Sequence, residues 1–126
     1  MRKLATALCL LLLLSTTACM QRIQPQEMLL GKWRSIEMGG ADMSDVQEAF
    51  FVFDKYGNFF NMLQLADGET ISLDAQYHAS DTEITVMKAE NEQAEVGGVM
   101  TYEFENGVLK LTVPKNGHWV KLKRVQ

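Results

Sequence analysis

From residue 29 onward apolar and polar side chains alternate, and turn residues interrupt the alternation about every ten positions, the pattern of short antiparallel strands in a sandwich or barrel. Segment 70–79 is the cleanest case. Ile71, Leu73, Ala75, Tyr77 and Ala79 fall on one face, and Thr70, Ser72, Asp74, Gln76 and His78 on the other. A period of two with one polar face predicts a half-buried antiparallel strand. Similar segments predict strands over 30–38, 50–54, 59–65, 83–88, 99–105, 108–113 and 118–125. Asn106-Gly107 is the strongest hairpin signal, because both central residues of a type I′ turn need positive φ. Eight strands joined mostly by hairpins predict an all-β fold, an eight-stranded antiparallel up-and-down barrel, since closure removes the edges that would pair with other chains. Phe50-Phe51-Val52-Phe53 is apolar on both faces, so alternation leaves its inward side open.

Two connections break the rhythm. Segment 39–49 joins the first two strands, and Ser44 followed by Gln47 has the spacing of a capping box, which predicts one helical turn there. Its two readings are a lid over one mouth of the barrel hinged at Gly39-Gly40, and a surface loop with a frayed turn. Segment 90–98 is a polar loop whose Glu90, Glu92 and Glu95 lack the Asp/Asn/Gly chemistry of a calcium loop and read as solvated.

Ahead of the strands stands a different pattern. Arg2-Lys3, the apolar run 4–14 and the small residues Ser15-Thr16-Thr17-Ala18 have the order of a secretory signal. The apolar run is too short to span a bilayer, which needs about 20 residues. Cys19 follows directly, and the whole resembles the lipobox of bacterial lipoproteins, although Thr16 stands where that pattern has Leu, Val or Ile. The resemblance implies cleavage before Cys19, acylation of its thiol and a membrane held through the acyl chains. Met20, rather than Asp, after the cysteine implies the outer membrane of the bacterial cell envelope. The expected organisation is a signal peptide over 1–18, a lipidated tether over 19–28 and a barrel domain over 29–126.

Maturation leaves 108 of the 126 residues, enough for one core without metals or disulfides. Cys9 departs with the signal, so Cys19 is the remaining thiol and no disulfide framework exists. Loss of Arg2 and Lys3 leaves ten of twelve basic residues against sixteen acidic ones, a formal net of −6. Such a surface excludes nucleic acid as an expected partner and gives no electrostatic hold on anionic lipid.

Gly31-Lys32-Trp33 opens the first strand, and Arg124 ends the last one on the same face as Val120 and Leu122. These residues resemble the G-x-W signature of lipocalins and the wider calycin group, in which a late arginine packs on the tryptophan and seals one end of the barrel. The resemblance spans about residues 29–125 and assigns barrel closure to Gly31, Trp33 and Arg124; a cation–π contact of that kind contributes roughly 0.5–2 kcal/mol. The opening Leu29-Leu30-Gly31-Lys32-Trp33, with Ile36 and Gly39-Gly40, is also similar to META-type domains of envelope proteins, whose later motifs this chain lacks.

No catalytic constellation stands out, and the chain reads as a non-enzyme. His78 lies on a polar strand face and His118 follows a turn, forty positions apart with no partner motif, so both read as solvated and no metal or cofactor is expected. Glu103 and Glu105 share an outer strand face rather than forming an acid–base pair. The methionines are scattered one to a segment, as flexible core filling rather than a copper-binding cluster. Two functions remain. One is a monomeric carrier whose cavity, lined by Met62, Tyr77, Met100, Tyr102 and Phe104, takes one small apolar or amphipathic ligand. The other is an interaction module with a packed interior, binding another envelope protein through its surface or the 39–49 loop, motivated by Phe50 to Phe53.

Overall fold

The computed structural model describes residues 24–41, 43–87 and 96–126. The signal peptide, Cys19, the first part of the tether and Glu90, Glu92 and Glu95 lie outside the described residues. One helical turn, α1 (Pro25–Met28), precedes eight strands: β1 (Gly31–Gly39), β2 (Val46–Phe53), β3 (Asn58–Leu65), β4 (Thr70–Ala79), β5 (Glu83–Met87), β6 (Val96–Glu105), β7 (Val108–Val113) and β8 (His118–Arg124). Each strand pairs antiparallel with the next, and β8 pairs back onto β1, closing the barrel.

Turn chemistry fixes the hairpins. Asn106 and Gly107 have φ of 53° and 80°, so β6 and β7 meet as Glu105 opposite Val108. At the β2–β3 turn, the Asp54 carboxylate accepts from the Tyr56 and Asn58 backbone N–H groups, each at 2.8 Å. The Asn58 backbone and side-chain N–H groups foremost, with that of Tyr56, favour the ionised form and hold the Asp54 pKa below its ordinary value.

Sheet pairing takes Val46 and Gln47 out of the helical turn expected from Ser44. Val46 to Ala49 are strand residues, paired with Leu65 to Leu63, so β2 starts four residues before the predicted boundary. The connection is a tight turn closed by Val46 N–H donating to Met43 O at 3.1 Å. Gly39 does not form a hinge: it is the last residue of β1, and a Cβ there would lie 2.7 Å from the Trp119 ring. Pro25 to Met28, read as tether, form α1, and Leu29 after it is fully buried.

A bulge in β1 keeps charge out of the core. Simple alternation from Trp33 would turn Glu37 inward. Ile36 is an extra residue between the Ser35–Leu122 and Glu37–Lys121 pairs, so Glu37 faces outward and its carboxylate meets Lys121 Nζ at 3.6 Å. Met38 then points inward beside Val120.

Two tyrosines tie the inner face to the hairpin turns at one end. Tyr77 Oη donates to Asp54 O at 2.8 Å and Tyr102 Oη to Ser80 O at 2.5 Å. Burial holds both phenols above their ordinary pKa, and the charges of Asp54 and Asp81 add to it. A raised folded pKa means this stabilisation is complete below the unfolded value near 10 and is lost as pH rises through the folded one. Tyr77→Phe is expected to cost about 1 kcal/mol at neutral pH. The double variant with Tyr102→Phe should show a shallower fall of the urea midpoint at alkaline pH than the wild type; an unchanged slope refutes the assignment.

Candidate functional site

Among the described residues the barrel has a sealed end and an open end, and the distribution of aromatic residues makes the difference. At the sealed end Trp33, 2% exposed, points inward and its Nε1–H donates to Leu29 O at 2.8 Å. The Arg124 guanidinium lies 4.3 Å from the centroid of that ring. Its Nη2 donates to Met28 O at 2.7 Å, and its Nη1 donates to Leu30 O. Arg124 thus clamps the last carbonyls of α1 and the following turn over the barrel end, groups that a helix terminus leaves without partners. Gly31 makes room for this: a Cβ there would sit 2.6 Å from Arg124 Nη1. Phe53, Phe59, Tyr77, Tyr102 and Phe104 fill the adjoining interior through tilted and edge-on ring contacts.

Toward the other end the inward side chains shrink. Past Phe51 and Phe59 the smaller Ala49, Leu63, Val86, Gly98 and Leu111 follow, and an apolar cavity of about 230 Å³, lined by those two rings as well, opens there. On β4 the inward face passes from Ala75, 8% exposed, to Leu73 and Ile71 at 41% and 53%, where the wall reaches solvent. Met43 reaches the cavity from the β1–β2 connection, which is tied to the next loop by Ala66 N–H donating to Asp45 O. Asn61 and His118 are the polar side chains of the described wall, together with the Trp119 indole at the rim; no carboxylate, lysine or arginine lines it.

The five residues expected to line a cavity are spread over the molecule. Met100 lines it. Tyr77, Tyr102 and Phe104 face inward but belong to the packed sealed half, with their rings in the core and the tyrosine hydroxyls bonded to turn carbonyls. Met62 is on the outer face: the β2–β3 register sets it opposite Phe50, while Phe51 and Asn61 form the inward pair. His118 is also placed differently from the solvated position expected. It shares the inward face of β8 with Val120 and Leu122 and lines the cavity mouth, whereas His78 is exposed on the outer face. Asn61 was not among the expected site residues.

Two solved structures have the same architecture. One is a lipocalin-like protein from Bacteroides uniformis, 19% identical, with a TM-score of 0.53 over 78% of this chain and 99% of that one. The fold is lipocalin-like. An uncharacterized protein from Bacteroides eggerthii aligns in the same way, at 17% identity and a TM-score of 0.53 over 77% of this chain and 99% of that one. No protein-family model matches the sequence, and no curated protein matches it. At these identities the likeness is one of fold; the lipocalin-like barrel is sealed at Trp33 and open at Leu73.

Proposed function

We propose that this lipocalin-like chain is a non-enzymatic, monomeric carrier, anchored through acyl chains on Cys19 to the outer membrane of a bacterial envelope, which holds one small apolar or amphipathic molecule in the open half of its barrel. The observation that carries the reading is the apolar cavity at the wide end, facing solvent past Leu73 and Ile71 while the opposite end is plugged. A preformed apolar pocket with few polar groups is the usual form of a small-molecule site. Among the described residues no charged side chain lines the wall, which favours a neutral guest, because an ion placed there would lose hydration without a counter-charge.

Native mass spectrometry of the chain from Gln21 onward, purified without denaturation, tests this directly. The expected result is a discrete added mass that organic extraction removes. Leu73→Trp should abolish the adduct at little cost in thermal stability, because Leu73 is 41% exposed at the mouth and a larger ring there blocks entry more than it overpacks the core. A bare mass, with no uptake of an added hydrophobic fluorophore, would remove the carrier reading.

A second reading, an interaction module, has one observation in its favour. Phe51 and Phe53 are buried, but Phe50, Val52, Phe60 and Met62 form two outward cross-strand pairs, all half-buried, an apolar stripe on the barrel wall. The same spectra address it. A bound polypeptide lost in Phe60→Ser is its expected sign, and a small-molecule adduct without any polypeptide counts against it.

A further inference from the structure

Asn61 occupies a place that the pattern of the wall reserves for an apolar side chain. Its inward cross-strand partners are Phe51 on β2 and Leu73 on β4, and its inward neighbours along β3 are Phe59 and Leu63. The side chain lines the cavity; its Oδ1, out of reach of solvent in this rotamer, has no hydrogen-bond partner among the described residues and would meet a guest only after rotation about χ2. An unpaired buried polar atom lowers stability, and a leucine would fill the same layer without that cost. Positions that break the local rule at a stability cost are where function concentrates.

The chemistry of the guest follows from the rest of the wall. Among the described residues no lysine, arginine or carboxylate lines the cavity, which favours a neutral guest. At roughly 30 Å³ per water-sized group, the 230 Å³ cavity holds about eight heavy atoms. A carboxamide offers a donor at one end and an acceptor at the other, and a half-turn about χ2 exchanges them. A hydroxyl, itself donor and acceptor, matches either setting. Resting on the carrier reading above, the geometry points to a neutral ligand of phenol size, an apolar body bearing one hydroxyl, held with that hydroxyl inward at Asn61.

The test uses p-cresol and p-xylene, which have the same shape and differ by a hydroxyl in place of a methyl. Dissociation constants for both are measured by calorimetry on the wild-type protein and on Asn61→Leu. The ratio of the two constants in one protein, compared with that in the other, cancels the ligands' own difference in hydrophobicity. The expected result is a loss of relative preference for p-cresol of about tenfold or more in Asn61→Leu, together with a higher thermal midpoint of the ligand-free variant. If both ligands bind the wild type and the ratio does not move, the role of Asn61 is overturned while the carrier reading stands. If neither ligand binds the wild type, and native spectra also give a bare mass, both fall. Asn61→Ala gives the same comparison should the leucine variant not fold.

Discussion

Trp33→Ala is expected to destabilise the barrel by about 3–5 kcal/mol, a large share of the 5–15 kcal/mol that holds a domain of this size together. Trp33 is the largest fully buried side chain among the described residues. It sits under Arg124, 6.1 Å from the Phe104 ring centroid and hydrogen-bonded through Nε1 to Leu29 O. Alanine would therefore remove three supports at once. The packing against Phe104 goes, the Leu29 carbonyl is left unpaired in a buried setting, and the guanidinium loses the ring it covers. Trp33→Phe separates these contributions, because it keeps most of the ring volume but not the bond to Leu29. Urea unfolding is the measurement: the midpoint should fall sharply at unchanged slope, as expected for lost stability with the same surface exposed on unfolding. Phe60→Ala, on the half-buried outer face, should cost much less. A Trp33→Ala cost below that of Phe60→Ala would mean that the sealed end is not where the barrel is held.

Alternation discloses which face of a strand a residue takes, but not how far along the barrel axis it sits. That distinction separates what was legible from what was not. Strands β4 and β7 carry the bounds expected of them, and Val120, Leu122 and Arg124 share the inward face, because each of those segments has an unambiguous period of two. Tyr77, Tyr102 and Phe104 were legible as inward-facing, yet whether they line a cavity or pack the sealed end depends on the stagger between strands, which no single strand contains. Met62 was misplaced for another reason. Phe50 to Phe53 is apolar on both sides, so nothing fixes the parity of the β2–β3 hairpin except the turn around Asp54 and Asn58. The parity it selects sends Phe51 and Asn61 inward and Phe50 and Met62 outward. The inward face of His118 is legible in the sequence, because it precedes Val120 by two residues and so shares its face. The Ile36 bulge left no trace beyond a carboxylate at a position that alternation assigns to the core.

Gly31→Ala should be costly for two separable reasons, and separating them tests why a glycine begins β1. Its φ is +124°, a region L side chains rarely adopt, so alanine there brings about 1–3 kcal/mol of backbone strain wherever the neighbours lie. The new Cβ would also come within 2.6 Å of Arg124 Nη1. That atom ends a flexible side chain, so the clash resolves by moving the guanidinium, and its cost is what the guanidinium gives up: the Trp33 stack and the bonds to Met28 O and Leu30 O. Because Arg124 is itself exposed, that loss is about 1–2 kcal/mol. The full effect of Gly31→Ala is thus about 2–5 kcal/mol, the sum of strain and lost clamp. In an Arg124→Ala background the second part has already gone, so the same substitution should cost only the strain. A double-mutant cycle by urea unfolding then gives a coupling close to the cost of Arg124→Ala alone. Limited proteolysis supplies an independent reading, since loss of the clamp frees α1 and should expose the chain near Met28 in either single variant. Additive costs with no coupling would show that glycine is required only for its backbone, and that the arginine closes the barrel end independently of it.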